Sequence, residues 1–242
     1  MRKKTLVIKP VFDFEEGVLL PPIPAISLLP TWYKNMSPFL RGTSPMYSST
    51  LGTNLTMKRC VPVRDSLGAG YLIQTSADVY LEKIIDEVTK EDTYKVHWSS
   101  SLDIVENHNV AQISGLPVHL NLAHEIPLKW MNPWLIQTPP GYSLYFTHPL
   151  GYPDLPFYTL TGLVDTDKHP VPVNFPFFIR RGCEGMIPRG TPIVQFFPVK
   201  RDSWKSQIKE YNAKEVTSNL ERMGQSLSNT YKNSSWVKKE FK

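Results

Sequence analysis

The sequence predicts a mainly β protein, an antiparallel barrel or sandwich with a proline-rich N-terminal arm and a C-terminal helical tail. Three observations support this. Short β-rich runs are separated by turn-forming stretches such as PPGY and HPLGYPDLP. The 242 residues include 22 prolines, which disfavour long helices and central strands. Apolar residues make up 41% of the chain, which is ample for a packed core.

The arm is predicted over residues 1–57. Six prolines between positions 21 and 45 prevent a long helix there. One short amphipathic turn is compatible with Leu28–Met36, and Ser37-Pro38 would end it. Because disordered segments rarely carry so many large apolar residues, we expect the arm to pack over the main domain with Trp32 as its anchor.

The β domain is predicted over residues 58–200. Residues 59–74 indicate a strand, a turn and a second strand, with Gly68 and Gly70 relieving the bend. For residues 81–88 the pattern leaves two alternatives open, a strand and one helical segment.

The second half of this domain carries the clearest strand signals. The dipeptides Pro140-Gly141 and Arg189-Gly190 indicate tight turns that each launch an apolar strand. In VPVNFPFFI, period-two alternation puts five apolar residues on one face, and the intervening prolines predict an edge strand or a bulged strand. Those five residues are Val171, Val173, Phe175, Phe177 and Ile179.

The tail is predicted over residues 201–242 as a basic helical segment. Its large apolar residues recur mostly at spacings of three and four: Trp204, Ile208, Tyr211, Leu220, Met223 and Leu227. Asp202 or Ser203 is a suitable cap for a first helix. Ser218 and Glu221 have the spacing of a capping box that starts a second. Such helices would dock one apolar face on the β domain or on a partner subunit.

Charge and cysteine content narrow the function classes. The net charge of +5 comes wholly from residues 200–242, because residues 1–199 hold 17 basic and 17 acidic side chains. No arginine stripe with interleaved aromatics accompanies it, so nucleic acid is not an expected partner. Cys60 and Cys183 are far apart in the sequence, and we expect both to be reduced thiols. We expect a cytoplasmic protein, since no signal-like or membrane-spanning apolar stretch is present.

Several long motifs, including NPWLIQTPPGYSLYFTHPL, VPVNFPFF and GMIPRGTPIVQFFPVKRDSW, resemble an uncharacterised family of tailed phages, notably cyanophages, and of bacteria. The resemblance covers about residues 20–205. It implies a phage or bacterial origin, with the cytoplasm of an infected bacterial host as the location for a phage protein. The family carries no established activity.

A shorter resemblance concerns the fold. The order IQTPPGY, GLVDTD and IPRGTPIVQFF is similar to the trimeric dUTPase and dCTP deaminase barrel. It implies a dUTPase-like or jelly-roll-type barrel and a homotrimer. Asp165 falls where dUTPases place the aspartate that orients the hydrolytic water, and Gln195 falls on the glutamine of the final strand. The sequence departs from that family after Asp167, where Lys168 and His169 replace the tyrosine and arginine of its motif.

The candidate site residues cluster around these motifs. Asp165 is the candidate catalytic residue. The candidate ligand-binding residues are Tyr142, His148, Asp154, Asp167, His169 and Gln195. Three interpretations stay open for the two carboxylates of GLVDTD: an Asx-type turn in which they bond to backbone amides, a ligand site, and catalysis.

Three functions follow from these observations. The first is a non-catalytic phage accessory protein, a β scaffold without a cofactor that binds a small ligand or a protein partner. The second is a nucleotide-processing enzyme centred on Asp165 and using magnesium. The third is a non-haem iron oxygenase using His148, Asp167 or His169.

The other histidines of the middle segment are not candidate metal ligands, because their spacing does not fit a metal site. We expect hydrogen-bonded or exposed imidazoles at His108, His119 and His124.

Overall fold

The computed structural model describes residues 4–40, 54–88, 90, 92–116, 127–224 and 230–242. The chain divides into two compact units. One consists of Met1–Ala25 with Gly70–Arg201, and the other of Ile26–Ala69 with Asp202–Lys242. The described strands all belong to the first unit, and the described α-helices all belong to the second.

The first unit contains fourteen described strands. They are β1 (Val7–Pro10), β2 (Ile23–Pro24), β3 (Tyr71–Gln74), β4 (Val79–Ile85), β5 (Asp92–Trp98), β6 (Val105–Asn107), β7 (Leu128–Trp130), β8 (Trp134–Gln137), β9 (Tyr142–Thr147), β10 (Phe157–Thr159), β11 (Gly162–Val164), β12 (Phe175–Ile179), β13 (Gly185–Ile187) and β14 (Pro192–Lys200).

These strands form four antiparallel sheets. The orders are β11-β9-β14-β3-β2, β10-β12-β7-β6, β13-β4-β5 and β1-β8. The mainly β prediction is therefore confirmed. The predicted closure into a barrel is wrong for the described strands, because each of the four sheets has two open edges.

Two predicted turns begin central strands of this unit. Tyr142 N–H bonds to the carbonyl of Pro139 at 3.2 Å, and Gly141 has a φ of +84°. Before β14, Thr191 N–H bonds to the carbonyl of Pro188 at 3.1 Å, and Gly190 has a φ of +88°. Both are type II turns, which place glycine at the third position because its φ is positive. These two predictions are confirmed.

The core of the first unit collects apolar side chains from all four sheets. Trp130 is fully buried and stacks on Phe177 with 4.1 Å between ring centroids. The five-stranded sheet contributes Leu144, Val194 and Phe196 to the same cluster. Aromatic pairs of this kind add to the stabilisation from buried area, so they fix the relative positions of the strands.

The alternation predicted for VPVNFPFFI is confirmed only within β12, and the predicted edge or bulged position is wrong. Phe175, Phe177 and Ile179 are buried, but Val171 precedes the strand and is exposed. The strand is not at an edge, because β12 lies between β10 and β7. Pro176 has no N–H to donate to the ladder, and its carbonyl accepts a hydrogen bond at 2.8 Å from the N–H of Leu160, which lies just after the end of β10.

The ambiguous segment at residues 81–88 is a strand as far as Ile85. A turn follows, in which Val88 N–H bonds to the Asp86 carboxylate at 2.9 Å. Cross-strand pairing with all seven residues of β5 decides the outcome here, and this pairing is not visible in the local pattern.

The second unit contains four described α-helices: α1 (Thr31–Asn35), α2 (Val61–Leu67), α3 (Ala213–Gly224) and α4 (Thr230–Ser234). The short helix α1 was predicted and ends before Ser37-Pro38. The proposed anchor is wrong, because Tyr33 is the buried aromatic and Trp32 is exposed. Tyr33 Oη donates to the carbonyl of Lys58 at 3.3 Å.

The predicted strand after Arg59 is also wrong, because Val61–Leu67 is the helix α2. Its proline lies at the start of the helix, where the missing N–H costs nothing and the fixed φ favours helical geometry. Gly68 ends the helix by donating its N–H to the carbonyl of Arg64.

The tail contains helices at other positions than predicted. Residues 201–212 are not helical, and their large apolar side chains Trp204, Ile208 and Tyr211 are exposed. A short amphipathic segment gains little helical stability unless its apolar face packs on something. Helix α3 begins after Asn212, whose side chain accepts a hydrogen bond from Glu215 N–H at 3.2 Å.

Within the described residues, no helix is long and apolar enough to cross a membrane.

Candidate functional site

The first group of candidate residues lies at one edge of the five-stranded sheet. Val164, at the end of β11, pairs with Leu144 of β9, and Lys200, at the end of β14, pairs with Tyr142. The residues that follow β11 and β14 therefore lie beside the turn that precedes β9. We call this group the acidic edge, and it consists of Gly141, Ser143, Asp165, Asp167 and Arg201.

Asp167 is the fixed member of the acidic edge. The Arg201 guanidinium binds both of its carboxylate oxygens, with Nη1 at 2.8 Å from Oδ1 and Nη2 on Oδ2. Gly141 N–H donates to Oδ2 at 2.9 Å. The Arg201 hydrogen bonds and then the Gly141 amide lower the pKa of Asp167 to about 2. Its side chain is only 5% exposed, so this bidentate pair is a structural clamp.

Asp165 is the accessible carboxylate, with 55% of its side chain exposed. Ser143 Oγ donates to its Oδ1 at 2.6 Å, and Arg201 Nη1 lies 3.2 Å from the same oxygen. The Ser143 hydrogen bond, followed by the attraction of Arg201, lowers the pKa of Asp165. It is therefore ionised at neutral pH, where it accepts hydrogen bonds well and takes up a proton poorly.

The neighbouring turn is held by local backbone bonds. The N–H groups of Lys168 and His169 both donate to the carbonyl of Asp165, at 2.9 and 3.0 Å. The two carboxylates themselves bond to groups distant in sequence. Of the three interpretations left open, the Asx-type turn does not fit, because the one backbone amide that bonds to Asp167 is that of the distant Gly141. A structural role of Asp167 fits the contacts.

Tyr142 joins the acidic edge through its backbone. Its carbonyl accepts from Thr138 Oγ1 at 2.7 Å and from Arg201 Nη1 at 3.2 Å. Because the Thr138 proton is used there, the hydroxyl of Thr166 donates in the contact of 2.9 Å between the two threonines. The ring of Tyr142 lies 4.1 Å from the ammonium of Lys4.

His148 and Gln195 lie at the opposite end of β9. Thr159 N–H donates to His148 Nδ1, and His148 Nε2 donates to the carbonyl of Tyr152, both at 3.3 Å. These partners require the neutral tautomer with the proton on Nε2. Burial lowers the pKa of His148 to about 4. Gln195 is fully buried, and its Oε1 accepts from Leu150 N–H at 2.9 Å.

The predicted site residues therefore do not converge. The six residues of β9 separate the two groups by roughly 17 Å at the usual rise per residue. Asp154 is exposed in a turn. Among the residues that the structure describes, no group of three or more His, Cys, Asp or Glu side chains is placed to hold a metal ion. His119 and His124 lie outside the described residues.

The acidic edge offers little to a triphosphate. Hydrolysis of a phosphate ester requires cationic groups or metal ions at the phosphates. Arg201 already contacts Asp165, Asp167 and the hydroxyl of Ser143. The guanidinium is therefore committed to neutralising carboxylates, and nucleotide processing at Asp165 stays a prediction.

A cavity of about 570 Å³ in the first unit is the second candidate site. Its buried apolar wall includes Ile73, Ile104, Trp134 and Ile193, and it opens towards solvent beside the exposed Val171. Cavities that bind small molecules range over about 300 to 1,000 Å³ and are mostly apolar with a few polar groups. This cavity falls in that range.

One buried amide holds two walls of the cavity together. Asn132 Oδ1 accepts from Trp134 N–H at 3.1 Å, and its Nδ2 donates to the carbonyls of Trp134 at 3.0 Å and Val173 at 3.1 Å. Its own N–H donates to Asn174 Oδ1 at 3.0 Å. The segment before β8 is thereby tied to the segment before β12. The cavity wall is consequently ordered without a ligand.

Two amides of the lining each keep one hydrogen-bonding atom unused within the described residues. Because Asn174 Oδ1 faces an N–H donor, the amide orientation is fixed, and its Nδ2 has no acceptor among the described residues. Gln74 uses its Nε2 on the carbonyl of Gly190 at 2.6 Å, which leaves Oε1 as an acceptor. Asp103 is the one charged side chain among the described lining residues.

The segment after β1 completes the rim. Val11 N–H donates to the carbonyl of Pro133 at 3.1 Å, which fixes this segment beside the wall. Phe12 lines the cavity and packs edge-on against Phe14, which in turn packs edge-on against Trp134. The rim is therefore aromatic.

Sequence reasoning missed the cavity and the partner of the acidic edge. Asn132 and Asn174 each stand as a single amide within a strongly apolar run, and such a residue is buried only with its hydrogen bonds satisfied. That pattern was an available signal. Arg201 has no comparable signal, because it lies 34 residues from Asp167.

Comparisons with protein-family models, with curated proteins and with solved structures find no match for this chain. Its function is therefore inferred from site geometry.

Proposed function

We propose that this protein binds a small molecule with a mainly apolar body in the cavity beside Trp134. The observation that carries the proposal is a wall that is apolar, concave and already ordered. The volume of about 570 Å³ suits a molecule of one or two fused rings with substituents.

The driving force is the removal of apolar surface from water. Burial of apolar surface contributes about 25 cal/mol per Å², from which the entropic cost of association is subtracted. The apolar surface that a ligand would cover belongs mainly to the exposed Val11, Phe12 and Val171, because the wall residues at the base of the cavity are already largely buried. A ligand with a flat apolar body would gain on both of its faces, because the aromatic rim at Phe12 adds to the contact.

The second support is preorganisation. Binding loses affinity whenever side chains or loops must be ordered in the complex. Here the hydrogen bonds of Asn132 already fix the two wall segments, and Val11 N–H fixes the rim. These segments are therefore ordered when the protein folds, and ligand binding loses no affinity in ordering them.

Isothermal titration calorimetry with indole, a neutral two-ring compound, tests the proposal. The blocking variant is V171W, because Val171 is exposed, lies outside the strands and lines the cavity, so a larger side chain there fills the opening. The matched control is V88W, at an exposed valine that does not line the cavity.

We expect saturable one-site binding by the wild type and V88W, and at least about tenfold weaker binding by V171W, which corresponds to the loss of 1.4 kcal/mol. Circular dichroism confirms that both variants are folded. Equal affinities of V171W and V88W would contradict the proposal. So would the absence of binding to the wild type for indole, naphthalene-type alcohols and quinoline alike.

A further inference from the structure

The lining of the cavity carries one sign of charge. Asp103 is the one charged side chain among its described residues, and lysine, arginine and histidine do not occur in that described lining. The Asp103 side chain has no hydrogen-bond or ion-pair partner among the described residues. A ligand therefore meets an uncompensated carboxylate at the mouth of an apolar cavity.

We infer that the cavity selects neutral or positively charged ligands, with amine-bearing aromatic compounds as the preferred class, and discriminates against anions. This inference rests on the proposed function. A ligand ammonium gains a charge-assisted hydrogen bond with the Asp103 carboxylate, whereas a carboxylate or phosphate in the same place is repelled.

The remaining polar groups give the body of the ligand an orientation. Asn174 Nδ2 is a donor without an acceptor among the described residues, and Gln74 Oε1 is an acceptor on the same lining. A ring N–H or a ring carbonyl satisfies one of these groups while the apolar faces stay on Trp134. A heteroaromatic amine thus matches the apolar wall, the amides and the carboxylate together.

The exposure of Asp103 sets the size of the charge effect. Ion pairs with solvent-exposed carboxylates are weakened by water and by salt. We therefore expect a moderate preference, about fivefold for a cation over an anion with the same ring system at low ionic strength. Its decline with added salt distinguishes a charge effect from a difference in shape.

Three probes that share the indole ring test the inference: tryptamine, which is cationic, indole-3-ethanol, which is neutral, and indole-3-acetate, which is anionic. Their affinities are measured by calorimetry for the wild type, for D103N and for the control E87Q. Glu87 is an exposed acidic residue in the turn after β4 that does not line the cavity.

We expect the wild type and E87Q to bind tryptamine most tightly and indole-3-acetate least, and D103N to bind the three probes within about twofold of each other. If all three probes bind the wild type with the same affinity, or if D103N keeps the preference, the inference fails while the proposed function stands. If none of the probes binds, both fail.

Discussion

Replacing Asn132 by alanine removes three hydrogen bonds from the wall of the cavity. Its side chain accepts one from Trp134 N–H and donates two, to the carbonyls of Trp134 and Val173. Asn132 is buried, with 7% of its surface exposed. Each such bond contributes about 1 kcal/mol net, so we expect the free energy of unfolding to fall by about 3 kcal/mol.

Urea denaturation, monitored by far-ultraviolet circular dichroism, measures this loss in the free energy of unfolding, because the signal reports on the strands. The control is N107A, at an exposed asparagine of β6, which should stay within about 0.5 kcal/mol of the wild type. The m-value should be unchanged, so the loss appears as a lower midpoint. Indole affinity should also fall in N132A, since the two wall segments are no longer tied together. If N132A is as stable as N107A and binds indole as the wild type does, the amide does not hold the wall.

Three further substitutions test other parts of the first unit. His148 has a pKa of about 4 when folded and about 6.5 when unfolded, so its contribution to stability is complete above pH 6.5 and is lost as the pH falls towards 4. Between pH 7 and pH 5 the free energy of unfolding of the wild type, measured by urea titration, should therefore fall by about 2 kcal/mol more than that of H148F. Equal losses would contradict a buried imidazole that is neutral. Gly70 has a φ of +67°, and an added Cβ would lie 1.9 Å from the carbonyl oxygen of Phe196, so G70A should lower the free energy of unfolding by at least about 2 kcal/mol. The control G162A, where a Cβ meets open space, should change it by less than about 0.5 kcal/mol, and similar values for the two would contradict the close approach. The lowered pKa of Asp167 means that its clamp stabilises the fold above pH 4 and is lost as the pH falls towards 2. D167N should consequently show a smaller loss of thermal stability than the wild type over that interval, and identical acid sensitivity would contradict the clamp.

Local signals predict the parts of the fold that depend on a few adjacent residues. Strand β9 begins at the tyrosine of PPGY and β14 begins directly after PRGT, because a proline or arginine followed by glycine forms a type II turn without help from distant residues. Helix α2 was missed because the proline after Val61 suits the first turn of a helix as well as an extended segment. The choice between them depends on the surrounding structure.

Sheet order is the part that local signals do not contain. Closure into a barrel was predicted from the rhythm of strands and turns, which is the same for open and closed sheets. The acidic edge forms because β11, β9 and β14 are neighbours, which brings Arg201 to Asp167 across 34 residues. The same is true of the cavity, whose wall combines segments near Phe12, Ile73, Asn132 and Asn174.

The most direct test of the central claim is anomalous diffraction from crystals soaked with 6-bromoindole, since bromine marks the position of a neutral apolar ligand. We expect the anomalous peak inside the cavity, against Trp134 and Ile193 and within reach of the Asn174 amide. A bromine peak elsewhere on the protein, with the cavity free of ligand density, would contradict the account.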